Sequence, residues 1–517
     1  MSLLQKASII TTPTAYAEDF LYSIKPAIVF GDELVTNGDF SGGSANWTAK
    51  SGVIVSADSS GLVFDNSTGN SSGGVYQNIG LDDTRTYQMT ATIQLLTGSS
   101  NGTFILFTST SGGTGQSDVY VGSTLIVGGD AVTNTFPFTP ASGDVSIQFS
   151  CDESNATYKV SNISVKEIIN ADFDFTRAST ATRVNEEGLI EEVAINTPRI
   201  DFTGGTGSIL LEPSRTNSLP FSNDFSNAAW SKEANITATY NTTETLSPDG
   251  TYNASKFVGN GTDGLFDAVA ITGIISRSVY LKSVTGTVTV VLKDPYGGVT
   301  AKSLTVTEEW QRFELVEDNG GSSQGLWIDD IPASGIYMYG AQIEAGSYTT
   351  SYIPTNGTTV TRSADAANNA GNSDLINSTE GVLYAEIKAL ANDGVNRVIT
   401  IVNSSSTLNR IRLYYTTVDN RVIAEIRNSS GGILMIYNGL ADVTTFNKFA
   451  VKYKNNDAAL WVNGTEVLTD TTGGVPTGLN KLVFDDGSGS DDYYGDAKSL
   501  MVFKEALTDE ELTKLTS

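Results

Sequence analysis

The sequence predicts an all-β protein that consists of three tandem β-sandwich (jelly-roll) modules. The main indication is a short pattern that occurs twice. Residues 35–40 (VTNGDF), followed by Trp47, return in altered form as residues 221–225 (FSNDF), followed by Trp230. After each copy, apolar and polar residues alternate over a long series of segments that clusters of Gly, Ser and Asn separate. A repeat at this spacing indicates related domains in succession.

Composition limits what such modules can do. The chain has 517 residues and a formal net charge of −27, and its length suggests about three or four domains. The excess of carboxylates opposes binding to nucleic acid. The absence of histidine excludes Ser-His-Asp catalysis and His-ligated zinc. The single cysteine, Cys151, can form no intrachain disulfide, and its strand-like surroundings predict a small core residue.

Residues 1–32 stand apart from the repeats and are interpreted as an N-terminal docking segment. Thr12 can cap a helix that has Pro13 at its first position. Four apolar residues then follow at i, i+3, i+4 and i+7, namely Ala17, Phe20, Leu21 and Ile24. This spacing predicts a short helix with one apolar face. The face can pack back on the first module or dock on another protein, and we favour docking.

The other boundaries follow from changes in composition. Residues 33–168 form the first jelly roll, 169–207 a charged connector, 208–353 the second jelly roll, 354–373 a linker, and 374–517 a third all-β unit. In the third unit, Asn463 and Gly464 after a strand-like run predict a tight hairpin. Thr508 and Glu511 predict the capping box of a terminal helix. Because no long heptad pattern is present, any oligomer must assemble through module faces or the connector.

The connector carries three arginines, Arg177, Arg183 and Arg199. They can neutralise glutamates of the same segment within one chain, or they can form pairs across subunits. The glutamates concerned are Glu186, Glu187, Glu191 and Glu192. Exposed ion pairs contribute only about 0–1 kcal/mol each, so pairs across subunits would mainly fix register. We favour pairing within the chain.

Candidate glycan-binding residues are aromatic side chains beside planar polar groups, because sugar rings stack on aromatic faces and hydrogen-bond to such groups. These candidates are Tyr493, Tyr494, Tyr414, Tyr415 and Trp327. One tyrosine of each adjacent pair must point inward in a strand. The other tryptophans, Trp47, Trp230, Trp310 and Trp461, lie in or beside strand patterns and are expected in the cores.

A Gly- and Ser-rich loop contains four aspartates, Asp485, Asp486, Asp491 and Asp492. Calcium prefers several oxygen ligands, often supplied by loops, so these residues are candidates for a structural Ca2+ site. The alternative is a solvated acidic loop. Spacing distinguishes no pair of carboxylates that could hydrolyse a glycan. We therefore expect no catalytic residues and no enzymatic activity.

Two modules resemble known sugar-binding folds. Residues 34–40 with Trp47 resemble the opening of galactose-binding-like jelly-roll carbohydrate-binding modules, which implies that the tryptophan packs in the core. The second copy retains Asn223, Asp224, Phe225 and Trp230. The third unit resembles concanavalin/laminin-G-like jelly rolls in residues 459–464 and 507–512.

The connector resembles a region that phage head-spike and tail-fibre proteins share. The matching pieces are FTRAS from Phe175, ATRV from Ala181, GLI from Gly188, PR from Pro198 and LEPSRTN from Leu211. Residues 340–346 and 352–355 resemble modules of phage structural proteins, and residues 3–27 resemble the start of marine phage structural proteins. Together these resemblances imply a virion protein.

We therefore expect a structural phage protein at the virion surface: a head fibre, head spike or decoration, with a tail fibre less favoured. Its partners would be capsid or tail proteins and host-surface glycans, bound weakly and in many copies. It would form a homo-oligomer, for which a trimer is one arrangement. No apolar stretch approaches the roughly 20 residues of a membrane helix, so we expect no membrane insertion. The alternatives are a purely architectural capsid decoration and a secreted bacterial carbohydrate-binding protein.

Overall fold

The structure is a computed structural model. It describes residues 2–14, 16–17, 20–21, 29–49, 54–58, 60–65, 74–83, 85–98, 103–109, 116–125, 129–151, 156–169 and 172–517. They are almost entirely β-structure in antiparallel sheets, which confirms the predicted all-β class. Two compact units are present, one Ile28–Asn170 and the other Met1–Ala27 with Ala171–Ser517. In the described part of the chain, no helix is long and apolar enough to cross a membrane.

The first complete sandwich in the sequence is the unit Ile28–Asn170. Ahead of it lie α1 (Leu3–Lys6), β1 (Ala7–Thr11), β2 (Tyr16–Ala17) and β3 (Phe20–Leu21). The unit contains β4 (Val29–Glu33), β5 (Thr48–Ala49), β6 (Ile54–Asp58), β7 (Gly61–Asp65), β8 (Gly74–Asn78), β9 (Tyr87–Thr97), β10 (Thr103–Ser109), β11 (Gln116–Leu125), β12 (Val132–Phe138), β13 (Ser146–Cys151) and β14 (Thr157–Ile169). One sheet has the order β11-β10-β13-β8-β5, and the other has the order β12-β9-β14-β7-β6 with β4 added to β14. Cys151 ends β13, and its side chain lies outside the described residues.

The repeated sequence pattern builds the loop that closes this sandwich. Asn37 has a φ of 57°, and its side-chain amide hydrogen-bonds to backbone groups of the loop that follows. A Cβ atom on Gly38 would lie 2.0 Å from the carbonyl oxygen of Ile163, so only glycine fits there. Trp47 is buried, with its ring centroid 5.8 Å from that of Phe149. The tryptophan is therefore a core residue, as predicted.

The second sandwich follows the connector. The connector contains β15 (Phe173–Thr176), β16 (Ala181–Val184), β17 (Ile190–Val193) and β18 (Arg199–Asp201), and it is followed by β19 (Ser208–Leu211) and β20 (Arg215–Asn217). The sandwich contains β21 (Ser231–Lys232), β22 (Thr237–Thr239), β23 (Ser255–Val258), β24 (Leu265–Val269), β25 (Ile275–Ser283), β26 (Val288–Lys293), β27 (Lys302–Val306), β28 (Gln311–Glu317), β29 (Gln324–Asp329) and β30 (Ile336–Ala345). Its sheets have the orders β21-β24-β29-β26-β27 and β22-β23-β30-β25-β28. Trp230 is buried between them, and its indole N–H donates to the carbonyl oxygen of Phe221 at 2.8 Å.

The C-terminal sandwich completes the chain. It contains β31 (Val360–Arg362), β32 (Ala366–Asn368), β33 (Glu380–Ala389), β34 (Arg397–Asn403), β35 (Ser406–Tyr415), β36 (Val422–Asn428), β37 (Gly431–Tyr437), β38 (Asn447–Lys454), β39 (Ala458–Val462), β40 (Thr465–Asp470), β41 (Lys481–Val483), β42 (Gly495–Phe503) and α2 (Asp509–Thr516). One sheet has the order β37-β36-β35-β34-β41. The larger sheet has the order β18-β19-β42-β33-β38-β39-β40, and β1 also pairs with β42.

In the N-terminal segment, the described strands β1 and β3 belong to the C-terminal sandwich, and the predicted apolar helix is wrong. Ala17 lies in the two-residue strand β2, and Phe20 and Leu21 form β3; Ile24 lies outside the described residues. Leu21 is 0% exposed in the core of the C-terminal sandwich, where another protein could not contact it. The apolar residues at helical spacing therefore serve short strands, because burial against a neighbouring core outweighs local helix propensity. Docking by residues 1–32 stays a prediction.

Both remaining modules depart from the C-terminal sandwich between paired strands. The strands β3 and β15, which precede and follow Ile28–Asn170 in the chain, are antiparallel neighbours. β20 pairs with β31 in the same way around the second sandwich. The connector strand β18 and the next strand, β19, extend the larger C-terminal sheet. In the predicted linker, β32 pairs with β15. The connector and linker are thus built into the C-terminal sandwich.

Local turn and cap signals gave the expected structures. Asn463 and Gly464 both have positive φ in the turn between β39 and β40. Thr508 and Glu511 form the predicted capping box of α2. Lys6 Nζ lies 2.5 Å from Glu511 Oε1, which brings the two ends of the described chain together.

Candidate functional site

A buried network of charges joins the connector to residues on either side of the second sandwich, Glu212 before it and Arg362 and Asp365 after it. Arg177 Nη1 lies 3.0 Å from Asp365 Oδ1, and Arg199 also donates to Asp365. Glu212 Oε2 lies 2.6 Å from Arg199 Nη1 and 2.7 Å from Arg362 Nη1. These side chains are at most 3% exposed. Buried charges persist only when paired and hydrogen-bonded, so the five residues fold as one group.

The connector arginines pair within the chain, in agreement with the favoured interpretation. Only Arg183 uses one of the glutamates considered, with its Nη2 at 2.6 Å from Glu191 Oε1. Arg177 and Arg199 instead pair with Asp365 and Glu212. These partners lie outside the acidic stretch that contains Glu191, and sequence proximity did not reveal them.

Acid is expected to weaken this network through Glu212. Burial acts to raise the pKa of Glu212, but Arg362 and Arg199 outweigh it and hold the pKa at about 2, below the ordinary 4.5. Because the folded-state pKa is the lower one, the stabilisation is complete above pH 4.5 and is lost as the pH falls toward 2. The contribution is on the order of 3 kcal/mol. Urea unfolding of wild type and Glu212→Gln at about pH 7 and about pH 3 measures it; an equal fall in both proteins would contradict the assignment.

Next to this network, a cavity of about 360 Å³ lies between the second sandwich and the C-terminal sandwich. We call it the intersandwich cleft. Its floor is the outer face of the larger C-terminal sheet, which contributes Asp201, Leu210, Lys388 and Asp496. Its roof is the outer face of the second sandwich, and the β16–β17 hairpin closes one side. The cleft exists only because two sheet faces with polar residues meet.

The floor is a fixed row of polar groups. Asp201 accepts hydrogen bonds from the backbone N–H groups of Val184 at 2.8 Å and Thr203 at 2.9 Å. Asp496 accepts from the Ser208 hydroxyl at 2.6 Å and lies 3.2 Å from Lys388 Nζ. Burial raises the pKa of Asp496, and Lys388 opposes that rise. These side chains therefore hold their positions without a ligand.

The roof combines an aromatic ring with a guanidinium group. Arg312 lies 5.4 Å above the ring centroid of Tyr280, and its Nη2 donates to the Ser278 hydroxyl at 2.9 Å. Burial acts to lower the pKa of Arg312, but Tyr280, Glu314 and other acidic groups outweigh it, so Arg312 stays charged. Among the described residues, Arg312 Nε has no hydrogen-bond partner.

The hydroxyl of Thr349, another lining residue, is also buried and has no partner within the described part of the chain. Buried polar groups are rarely left unpaired. A ligand with several hydroxyl groups would supply the missing partners of Arg312 and Thr349. Protein sites for small molecules commonly have volumes of about 300–1,000 Å³, so the cleft has room for a short oligosaccharide.

The predicted glycan-binding residues do not come together in this cleft. Tyr493 and Tyr415 are 1% and 3% exposed, and their hydroxyls donate to the backbone carbonyls of Lys388 and Ile387. As inward residues of the C-terminal core they offer no face to a sugar, so these two predictions are wrong. Tyr494 is half-buried, with its hydroxyl bonded to Asp492.

The other two candidates lie on the outer faces of sheets. Tyr414 is half-buried on β35. Trp327 is half-buried on β29, with Lys293 Nζ 3.7 Å from its ring centroid and Phe266 at 5.4 Å. Lys293 thus covers one face of that indole. Of the tryptophans expected in cores, Trp47, Trp230 and Trp461 are buried, whereas Trp310 is half-buried.

The four aspartates of the acidic loop do not form the predicted calcium site. Asp486 accepts from the backbone N–H of Ser488 at 2.8 Å and lies 3.2 Å from Arg412 Nη2. Asp485 is buried and accepts from the backbone of Gly487. Within the described ranges, no group of three acidic side chains is arranged to hold a metal ion. Asp485 and Asp486 thus accept hydrogen bonds from their own loop, and Asp486 also pairs with an arginine.

Sequence reasoning missed the residues of the cleft. The strands β25 (ISRSVYLKS) and β28 (QRFELVE) alternate, and this pattern could have placed Tyr280 and Arg312 on their polar faces. It gives no sign that another sandwich covers those faces. Asp201 and Lys388 come from distant parts of the sequence, so only the packed structure brings them to one cavity.

Comparisons with known proteins give the following results. The sequence matches no protein-family model and no curated protein. Among solved structures, Ruminococcus gnavus IT-sialidase CBM40 bound to α2,3-sialyllactose has 17% identity and a TM-score of 0.25, covering 29% of this chain and 94% of that one. The CBM22-1–CBM22-2 tandem domain of Paenibacillus barcinonensis Xyn10C has 12% identity and a TM-score of 0.24, covering 62% and 99%. Domain 4 of AbnA, an arabinanase of Geobacillus stearothermophilus in complex with arabinotriose, has 13% identity and a TM-score of 0.27, covering 30% and 73%.

Proposed function

We propose that the protein is a non-enzymatic structural component of a phage virion surface, a head fibre or spike, that binds host-surface glycans through the intersandwich cleft. The observation that carries the binding part is the pair of polar atoms Arg312 Nε and Thr349 Oγ1, which have no hydrogen-bond partner among the described residues and belong to side chains that line the same cavity as Tyr280. An aromatic ring next to a guanidinium and fixed carboxylates suits a ligand with both C–H faces and hydroxyl groups.

The charges of the cleft favour a neutral sugar. Arg183, Arg312 and Lys388 face Asp201, Glu212, Glu314 and Asp496. Four of these groups are already paired: Lys388 with Asp496, Glu212 with arginines of the buried network, and Arg183 with Glu191. A strongly charged ligand would meet repulsion from one set or the other, whereas hydroxyl groups can bond to both. The sequence resemblance of the connector to phage head-spike proteins supports the virion part of the proposal.

Replacing the roof residues is expected to weaken glycan binding. The full-length protein should bind neutral glycans on an array, and Tyr280→Ala and Arg312→Ala should each weaken that binding by roughly tenfold or more, because each removes a stacking or charge-assisted contact. Tyr296→Ala is the matched control, since Tyr296 is 63% exposed on the same sandwich and outside the cleft. An array without hits would favour a purely architectural role. Release of sugar from a bound glycan would contradict the non-enzymatic part.

The virion part has a separate test. Antibodies against the protein should label particles of the phage that encodes it in negative-stain electron microscopy, at the head if the favoured location is right. Intact particles that carry no label, beside labelled purified protein, would contradict a virion location.

A further inference from the structure

A row of arginines crosses the outer face of the smaller C-terminal sheet. Arg410 on β35 stands opposite Arg427 on β36, and Arg412 stands opposite Glu425. Side chains directly opposite on neighbouring antiparallel strands share a face. We call Arg410, Arg412 and Arg427 the arginine row. The row lies on the smaller C-terminal sheet, and none of its members lines the intersandwich cleft.

The row has more positive than negative charge. Arg410 binds Glu425 with both Nε and Nη2, at 2.9 and 3.1 Å. Arg412 lies 3.6 Å from Glu425 and 3.2 Å from Asp486, and Arg427 lies 4.0 Å from Glu425. Three guanidinium groups thus share two carboxylates, in a chain whose formal net charge is −27.

The excess positive charge of the arginine row is electrostatically unfavourable. Arg410 and Arg427 are directly opposed like charges, an arrangement that destabilises a sheet. Burial and the neighbouring Arg410 lower the pKa of Arg412, even though Glu425 and Asp486 act to raise it. Arg412 Nε is buried and, among the described residues, has no hydrogen-bond partner. An anion bound at the row would relieve this repulsion.

An apolar strip borders the row on the same face. Across the sheet, Tyr414, Ile423 and Ile436 stand in one line of opposed residues, and Leu434 stands opposite Glu425. Leu434 is 53% exposed and Ile436 is 40% exposed. Beside Arg427 the opposed residue is Gly432, which has no side chain. The face therefore offers arginines for anionic groups and an adjoining apolar surface.

We propose that this face binds an acidic oligosaccharide whose sugar rings carry carboxylates. Arginine binds carboxylates with paired, charge-assisted hydrogen bonds, and the apolar strip with Tyr414 can pack against the C–H faces of the rings. The site goes beyond the proposed cleft, because it lies on another sandwich and selects charged instead of neutral sugars. The acidic loop has a role here, since Asp486 holds Arg412 in the row.

Calorimetric titration of the full-length protein with tetragalacturonate tests the proposal. We expect binding that weakens steeply as salt is raised. Arg427→Ala should reduce the affinity by roughly tenfold or more. Arg427 is 41% exposed, so its removal should leave the fold intact. Arg421→Ala is the matched control, because Arg421 precedes β36 in the same sheet and bonds to Asn438 outside the row; it should bind as wild type does.

Several outcomes would overturn the proposal. They are absence of binding, equal loss in Arg421→Ala, and equal binding of the fully methyl-esterified tetramer, which lacks the charges. Binding of a short DNA duplex with the same dependence on Arg427 would show nonspecific attraction of polyanions. The cleft is judged separately: Arg312→Ala should bind tetragalacturonate normally, so failure at one site leaves the other unaffected.

Discussion

Asp365→Asn is expected to destabilise the C-terminal sandwich by about 3–5 kcal/mol, because removing one partner from a buried ion pair leaves uncompensated charge. Asp365 pairs with Arg177 and Arg199 and accepts the backbone N–H of Glu212 at 2.9 Å. Asparagine keeps the shape of the aspartate side chain, but the three buried arginines of the network then share a single carboxylate, that of Glu212. The loss should appear as faster amide hydrogen exchange in peptides of β18 and β19, measured by mass spectrometry.

Glu191→Gln is the matched control for this prediction. It breaks the pair between Arg183 and Glu191, which belongs to the same connector but has a glutamate that is 37% exposed. Exposed pairs contribute about 0–1 kcal/mol, so its exchange should stay close to that of wild type. If Asp365→Asn behaved like Glu191→Gln, the network would not be what joins the connector to the sandwiches.

Features that depend on neighbouring residues could be predicted from the sequence. Asn463 and Gly464 tolerate the positive φ of a tight hairpin, and Thr508 with Glu511 reaches backbone groups one helical turn away. The all-β class follows from alternation, which is also local. In each case the physical cause lies within a few residues, so the pattern alone determines the structure.

Features that depend on distant residues could not be predicted. The spacing of Ala17, Phe20 and Leu21 suits a helix as well as the two short strands β2 and β3. The choice is made by a core built mostly from residues 367–502, in which Leu21 is buried. Tyr493 and Tyr415 each belong to an adjacent pair of tyrosines, and the alternation showed that one member points inward but not which one. The structure shows Arg312 and Asp201 lining the same cleft, because two sheets that are distant in sequence pack together there. The sequence shows which side chains lie on each face of a sheet, but it does not show which other sheet packs against that face.

Ile9→Ala is expected to cost about 2–5 kcal/mol, the usual range for removing a large buried aliphatic side chain. Ile9 is 0% exposed, stands opposite Val502 on β42, and packs in the C-terminal core. Thermal or urea unfolding that reports on Trp461, which lies in this sandwich, should register the loss.

Leu4→Ala provides the control within the same segment. Leu4 is 56% exposed on α1, so the substitution should change stability by no more than about 0.5 kcal/mol. If the segment served only to dock on another protein, neither change would affect the stability of the isolated chain. If β1 is a strand of the C-terminal sandwich, only Ile9→Ala will do so, and truncations of residues 1–11 meant to test docking will also remove part of the fold.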